Sequence, residues 1–413
     1  MDSNSRLVTR IKRVEAAPTV AARLWLRGGG RLEEKPGQAL ICGRALAEGT
    51  QRRAWHEIVL EAENRGMILQ SFGSHESIGV AVDALAEDWS EALEWLAELV
   101  LEPSFPADRC DWLQRQAQGE LESLLDQPAL RTGRAFLEHL YHPHPYSRPI
   151  QGSPDDLQRL SAGDAADFHR RALGWGGLVV VTGLIDEEAV EKRLADLLGK
   201  VTDGPGLTGE AETLPPVEAP VGYQEMRRET IAGETDQAHL YAGHLTVQRG
   251  HPDGPALSLL GVILGAGAGI SGRLPKRIRE REGLAYNVDV STFAGAGIDP
   301  GRFMVYVGTS PETADAAERA IREEMIRLVE DGISLEELDE ARSYIIGRDP
   351  FRRETARQWA ELLAEASFYG LRIDEPGWVR QALEGLTKED VEDAARRWLR
   401  AADLKVTVGL PAS

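Results

Sequence analysis

Two side chains that could hold a peptide backbone lie close together in the stretch 271–290, SGRLPKRIREREGLAYNVDV: Arg279 and Tyr286. A guanidinium and a phenol both donate hydrogen bonds, and arginine keeps its charge at any working pH. Such a pair could bind the carbonyl oxygens of an extended peptide. A basic surface helix followed by an ordinary buried tyrosine would give the same pattern, and these residues alone favour that simpler interpretation.

The local pattern puts this pair at a junction between a helix and a strand. Leu274 and Ile278 have the i, i+4 spacing of a helix, Gly283 breaks the helix, and 285–290 alternates apolar and polar residues. We therefore predict that the arginine lies at the end of a basic helix and the tyrosine at the start of the next strand.

The same stretch resembles the second-domain signature of the pitrilysin/insulinase family of zinc peptidases, which includes the mitochondrial processing peptidases. That signature runs roughly S-R-L and then R-E-K-R-G-L-A-Y, and it corresponds here to Ser271, 273–274 and 279–286. The resemblance implies that Arg279 and Tyr286 bind substrate.

The family keeps an inverted zinc motif, His-x-x-Glu-His, on a helix of its first domain, where two histidines bind the metal and the glutamate activates water. The matching positions here are Leu40, Gly43 and Arg44. Leucine has no lone pair, glycine has no side chain, and arginine is a permanent cation that would repel Zn²⁺. The third-ligand position falls on Glu120, and we predict that it pairs with Arg44. No catalytic residue and no metal ligand are expected in this chain.

Other residues that could bind a metal in principle are Cys42, His56, Cys110, His139, His142 and His144. A metal site needs clustered ligands on a rigid frame. The three later histidines lie in a stretch that resembles the family's structural H-P-Y-x-x-P-x-x-G loop, so we expect these side chains to pack rather than to bind metal.

The composition is that of a globular chain without nucleic-acid or membrane partners. Its 413 residues are 42% hydrophobic and 28% charged, enough for two or three domains with a sizeable core. A net charge of −20 argues against nucleic acid and anionic membranes. Two cysteines, no signal-peptide core and no membrane-spanning run predict a cytoplasmic protein.

The chain also contains an internal duplication. Segment 161–184 matches 387–410 without a gap, and 80–93 corresponds to 305–318. A period this long indicates duplicated domains. Because each half mixes antiparallel strands with helices, we predict an α+β fold of two homologous domains, each with an antiparallel-rich sheet packed with helices.

We place the insulinase-like N-terminal domain, with the degenerate zinc motif, at 1–201 and the C-terminal domain, with the Arg/Tyr pair, at 222–413. Between them, 202–221 is rich in Pro, Gly, Glu and Thr and is predicted to be a linker. Local patterns further predict helices at 89–101 and 107–125 and a histidine- and proline-rich loop at 138–152.

Some members of the family divide their tasks between two chains, only one of which carries His-x-x-Glu-His. The resemblance therefore implies a non-catalytic, substrate-binding subunit of a heterodimeric peptidase, with extended peptides as substrates and zinc supplied by a homologous partner. Two alternatives remain open: a peptide-binding or structural homodimer with no peptidase role, and a peptidase with an unorthodox metal site.

Overall fold

Two five-stranded mixed sheets form the framework of the chain in the computed structural model. The structure describes residues 6–15, 17–198, 212–222, 228–265, 272–372 and 377–412. Their strands are β1 (Leu7–Arg13), β2 (Thr19–Arg27), β3 (Ile68–Gly73), β4 (Ser77–Leu85), β5 (Gly177–Gly183), β6 (Arg228–Gly233), β7 (Ala238–Leu245), β8 (Ala285–Ala294), β9 (Arg302–Thr309) and β10 (Lys405–Pro411).

The helices of the first half of the chain are α1 (Gln38–Ala45), α2 (Trp55–Asn64), α3 (Trp89–Leu101), α4 (Ala107–Leu125), α5 (Pro128–Tyr141), α6 (Pro154–Gln158), α7 (Ala162–Trp175) and α8 (Glu187–Leu198). Those of the second half are α9 (Gly254–Leu264), α10 (Arg273–Pro275), α11 (Ala314–Asp331), α12 (Leu335–Arg348), α13 (Ala356–Tyr369), α14 (Trp378–Glu384) and α15 (Lys388–Trp398).

The two sheets have the same topology. The first has the strand order β1-β5-β2-β4-β3 and the second β6-β10-β7-β9-β8. In each, one outer pair is parallel, β1 with β5 and β6 with β10, and the other neighbours are antiparallel. The predicted α+β fold of two homologous, antiparallel-rich sheets with helices is therefore confirmed.

The duplicated segments explain this symmetry at the level of local sequence. Each begins with a capping box at the start of a helix, formed by Ser161 and Asp164 on α7 and by Thr387 and Asp390 on α15. The serine or threonine hydroxyl accepts a hydrogen bond from the backbone amide of the aspartate three residues later. The helix then leads into an inner strand, β5 or β10. All of β5, GLVVVTG, is buried, as expected for a strand covered on both faces.

The helices predicted at 89–101 and 107–125 are both confirmed, but the loop predicted at 138–152 is wrong at its beginning. Helices α3 and α4 have the predicted bounds. In contrast, α5 continues to Tyr141 because Phe136 and Leu140 keep the i, i+4 spacing of a buried helical face, which the histidines and prolines around them obscured.

The compact units of the structure are not continuous in sequence. The first comprises 1–121, 149–217 and 350–374, and the second comprises 122–148, 218–349 and 375–413. Each unit therefore contains one helix from the other half of the chain, which a single boundary at 202–221 does not describe. Within that expected linker, 202–211 lie outside the described residues, and 212–221 form neither helix nor strand.

Each of these two helices packs on the sheet of the unit that contains it. In the first unit α13 packs against β2 and β5, and in the second α5 packs against β7 and β10. The buried Arg23 of β2 fixes α13: its Nε donates to Glu361 over 2.6 Å, and its Nη1 donates to Asp83 of β4 over 2.8 Å. On the second sheet, Gly409 leaves room for Thr132 of α5, whose hydroxyl would lie 2.1 Å from a Cβ at that position.

Candidate functional site

The Arg279–Tyr286 pair lies at the predicted helix-to-strand junction of the second unit. Helix α10 continues into one π-helical turn, Lys276–Arg281, and strand β8 begins at Ala285. Leu274 and Ile278 are fully buried, which anchors this segment to the core. The chain then reverses at Gly283, whose φ of +62° lies in the region that favours glycine.

The arginine and the tyrosine contact each other at the surface. The guanidinium carbon of Arg279 lies 4.6 Å from the centroid of the Tyr286 ring, a cation–π geometry worth about 0.5–1 kcal/mol at an exposed site. The tyrosine is 82% exposed, so the simpler interpretation of an ordinary buried tyrosine is wrong. Arg279 forms no ion pair with any residue that the structure describes, which leaves its N–H groups available to a ligand.

A β-bulge explains why Tyr286 points into solvent. Ala285 pairs with Thr309 and Asn287 pairs with Gly308, so Tyr286 is the extra residue between two successive pairs. Bulges redirect a side chain and are frequent next to functional sites. Beyond the bulge the strand alternates normally.

The strand that carries Tyr286 is the outer strand of its sheet. In the described part of the chain, β8 pairs with β9 on one side and has no strand on the other. Val288 and Val290 face the core, whereas Asn287 and Asp289 are exposed. The backbone N–H and C=O groups of such an outer strand are able to pair with an extended peptide.

The positions of the lost zinc motif lie on α1 of the first unit. Leu40 is buried in the core of this unit. Arg44 and Glu120 form the predicted ion pair through two hydrogen bonds, Nη1 to Oε1 over 3.1 Å and Nη2 to Oε2 over 2.8 Å. The side chains are 25% and 37% exposed, so solvent screens the attraction between them.

Position 43, which matches the family's catalytic glutamate, has no space for a side chain. A Cβ on Gly43 would lie 2.2 Å from the carbonyl oxygen of Phe72 and 2.6 Å from the amide nitrogen of Gly73. In turn, a Cβ on Gly73 would lie 2.3 Å from the carbonyl oxygen of Ala39. Helix α1 and strand β3 thus touch backbone to backbone. Sequence reasoning identified the missing glutamate but not this contact, although a second glycine at the end of β3 was a signal for it.

The other candidate metal ligands do not converge. Among the described residues, no group of three or more histidine, cysteine, aspartate or glutamate side chains is placed to hold a metal ion. Cys42 and Cys110 are buried free thiols. Burial raises the pKa of the Cys42 thiol well above its usual value and that of Cys110 to about 11, so both stay protonated at neutral pH.

The histidines have structural contacts or lie in solvent. His139 is buried in the second unit, with its Nδ1 3.2 Å from the hydroxyl of Thr407. His144 accepts a hydrogen bond at Nδ1 from the amide of Tyr146, and its Nε2 lies 3.1 Å from the Asp299 carboxylate. The remaining two candidates, His56 and His142, are exposed.

Comparison with known protein families gives two matches along the chain. The profile described as insulinase (peptidase family M16) matches residues 9–153, and the profile described as peptidase M16 inactive domain matches residues 164–345. Together the two profiles cover most of the chain and include the residues of both candidate sites. Of the helices in the described part of the chain, none combines the length and hydrophobicity needed to cross a lipid bilayer.

Individual relatives are similar over nearly the whole chain. A protein of Helicobacter pylori named "Non-peptidase homolog YmxG" is 24% identical over 93% of this chain and 87% of its own length. A Mycobacterium tuberculosis protein named an uncharacterized zinc protease is 25% identical over 95% of this chain and 88% of its own length.

Solved structures share the fold. One described as the peptidase M16 inactive domain from Pseudomonas fluorescens has a TM-score of 0.87 and 22% identity, and covers 100% of this chain and 98% of its own. A structure described as a protease from Helicobacter pylori has a TM-score of 0.86 and 17% identity, and covers 98% of this chain and 97% of its own.

Proposed function

Because the chain belongs to the insulinase family of peptidases (peptidase family M16), we propose that it is the non-catalytic, substrate-binding subunit of a heterodimeric zinc peptidase. The observation that carries the proposal is a contrast between two sites. Leu40, Gly43 and Arg44 occupy the zinc-motif positions, and none of them can bind zinc or activate a water molecule. By contrast, both members of the exposed Arg279–Tyr286 pair are present and contact each other.

Hydrolysis therefore has to come from a second chain. The partner we propose is a homologous subunit with His-x-x-Glu-His, whose side chains would hold a zinc ion that supplies the activated water. We assign the complex to the cytoplasm, since both cysteines are free thiols, the form that a reducing compartment maintains.

The residues of this chain bind and orient the peptide. An extended substrate adds a strand to a free sheet edge, where its main chain gains the hydrogen bonds of a ladder. Arg279 and Tyr286 then donate hydrogen bonds to its carbonyl oxygens near the cleaved bond, because both donors are exposed and the arginine lacks an ion-pair partner among the described residues. Donors fixed before the reaction position the substrate and stabilise developing negative charge.

The stacked geometry makes the pair suited to this task. A free arginine side chain loses about 2 kcal/mol of rotamer entropy when it is fixed. Contact with the Tyr286 ring already restricts the Arg279 guanidinium, so part of that loss occurs on folding and not on substrate binding. The bulge holds the ring in solvent, where a peptide can reach it.

The test is to co-express the chain with a homologous chain that carries the zinc motif, purify the complex, and measure cleavage of an unstructured peptide by each chain alone and by the mixture. We expect cleavage from the mixture only. Arg279→Ala or Tyr286→Phe should leave assembly intact and slow cleavage roughly 100- to 1,000-fold, since loss of one transition-state donor costs about 2.7–4 kcal/mol. Arg396→Ala, at an exposed arginine of α15 that pairs with Asp393 of the same helix, is the control and should leave the cleavage rate unchanged.

Equal cleavage rates for wild type, Arg279→Ala and Tyr286→Phe would refute the proposed role of the pair. Metal analysis of the chain alone is expected to give no zinc. A purified homodimer that binds peptide and neither associates with a zinc-motif chain nor supports cleavage would instead favour the structural or peptide-binding homodimer.

A further inference from the structure

The backbone of Leu284 connects the two segments that carry the Arg279–Tyr286 pair. Its amide donates to the carbonyl oxygen of Ile278, the residue before Arg279, over 2.8 Å. Its carbonyl oxygen, two residues before Tyr286, accepts a hydrogen bond from the hydroxyl of Thr309 over 2.5 Å. Both polar backbone groups of Leu284 are therefore fixed, one to the π-helical turn and the other to strand β9.

The hydroxyl of Thr309 is held in the orientation that this contact needs. The residue is only 5% exposed. A hydroxyl has one proton, and because a carbonyl oxygen can only accept, that proton is committed to Leu284. Toward the hydroxyl of Thr313, 2.6 Å away at the N-terminal cap of α11, Thr309 is therefore the acceptor. The second acceptor of Thr313, the carbonyl oxygen of Ser310, is more distant at 3.2 Å.

The hydrogen bond from Thr309 lies at the beginning of the β-bulge. Ala285 pairs with Thr309, Asn287 pairs with Gly308, and Tyr286 is the extra residue between them. Because the extra residue of a bulge has no partner in the ladder, its position depends on how the residues on either side are held. The Thr309 side chain adds a second hold on the N-terminal side, next to the pairing of its own backbone with Ala285.

We propose that Thr309 is a positioning residue for the Arg279–Tyr286 pair. Its hydroxyl fixes Leu284, and Leu284 sets the separation between the turn that carries the arginine and the strand that carries the tyrosine. The contact of 4.6 Å between guanidinium and ring depends on that separation. Its part in peptide cleavage rests on the substrate-binding function proposed above, whereas its effect on the pair is present without substrate.

Thr309→Val removes the hydroxyl proton and leaves the Leu284 carbonyl without this partner. Thr309→Ser keeps a hydroxyl at the same position and should restore the behaviour of wild type. The matched control is Thr292→Val on β8 of the same sheet. Thr292 is also buried, and its hydroxyl donates to the carbonyl oxygen of Leu257 over 2.7 Å. Both valine variants therefore lose one buried hydrogen bond from a side chain to the backbone, but only one of them lies at the bulge.

Fluorine NMR of the isolated chain labelled with 3-fluorotyrosine reports on the Tyr286 ring. Tyr286→Phe identifies its signal among those of the eight tyrosines. Arg279→Ala should shift this signal, because the cation leaves the face of the ring. We expect that shift to shrink roughly twofold or more when Thr309→Val is already present, and to keep its full size beside Thr309→Ser or Thr292→Val. Equal shifts in all these backgrounds would overturn the proposal.

Cleavage by the complex with a zinc-motif chain tests the functional part. Thr309→Val should lower kcat roughly tenfold with little change in KM, because displaced donors stabilise the transition state less well. Thr309→Ser and Thr292→Val should keep both constants of wild type. Wild-type kcat for Thr309→Val, in a complex that Arg279→Ala slows, would refute the part of Thr309 in cleavage. If neither Arg279→Ala nor Tyr286→Phe slows cleavage, the substrate-binding function fails, and the fluorine shifts alone decide whether Thr309 positions the pair.

Discussion

Replacement of Gly43 by alanine is expected to destabilise the first unit, although alanine is the better helix former. Helix propensity alone would favour the change by about 1 kcal/mol. The added Cβ, however, would lie 2.2 Å from the carbonyl oxygen of Phe72. Because that atom belongs to the backbone of β3, the contact is relieved only if α1 and β3 move apart, and overpacking of this kind costs about 1–3 kcal/mol or more.

The size of the effect follows from how firmly this contact is fixed. A Cβ added to Gly73 would likewise lie 2.3 Å from the backbone carbonyl oxygen of Ala39, so neither the helix nor the strand offers a side chain that could rotate away. We therefore expect the steric cost to exceed the gain in propensity, with a net loss of about 2 kcal/mol. For a unit of this size, the melting temperature should fall by roughly 4–8 °C.

The matched control is Gly119→Ala on α4 of the same unit. A Cβ at that position has no atom within 4 Å, so this change should raise stability by about 0.5–1 kcal/mol. Urea and thermal unfolding, followed by circular dichroism, measure both variants. If Gly43→Ala proves as stable as wild type, or gains stability as Gly119→Ala does, the argument from close approach is refuted.

The same contact limits any attempt to restore a zinc motif. Leu40→His/Gly43→Glu/Arg44→His would supply the side chains that the family uses, but the glutamate carries the same Cβ into the backbone of β3. We expect the triple variant to unfold at a lower temperature than wild type and to bind less than one equivalent of zinc. Stoichiometric zinc together with wild-type stability would contradict this reasoning.

Three further predictions concern individual interactions. In a double-mutant cycle of Arg44→Met and Glu120→Gln, the coupling should be about 0.5–1 kcal/mol and should fall in high salt, because the pair is partly exposed. Arg23→Met should lower the free energy of unfolding by roughly 1–3 kcal/mol, because it removes the buried hydrogen bonds to Glu361 and Asp83 while Arg357 still pairs with the Asp83 carboxylate. Burial lowers the pKa of His169 to about 4, so the unfolded state binds more protons below pH 6.5. Stability should therefore fall by up to about 3 kcal/mol as pH drops from 6.5 to 4, and His169→Gln should reduce that slope.

Much of the fold follows from local sequence. The apolar spacing of α3 and α4 and the polar caps of α7 and α15 depend on neighbours within a few residues, so a reading of the chain predicts them correctly. The duplication likewise predicts two equivalent sheets, because similar segments have to bury similar apolar faces. The residue types at the zinc-motif positions exclude metal chemistry there before any coordinates are known.

Local sequence patterns do not predict contacts between segments that are distant in sequence. Nothing local to α5 or α13 indicates that each packs on the sheet of the other half, since both have an apolar face that either sheet could cover. The exposure of Tyr286 is likewise not predictable from local sequence, because the bulge depends on the register of β8 with β9.

The sequence by itself determined that the zinc ligands are absent and that an arginine and a tyrosine stand at a helix-to-strand junction, because residue identity and short-range spacing decide both. Only the tertiary structure decided that the Tyr286 ring lies in solvent against Arg279 and that position 43 has no room for a side chain. These last two properties depend on the distance between chain segments that meet only after folding, and in close-packed proteins a few tenths of an ångström separate a fit from a clash.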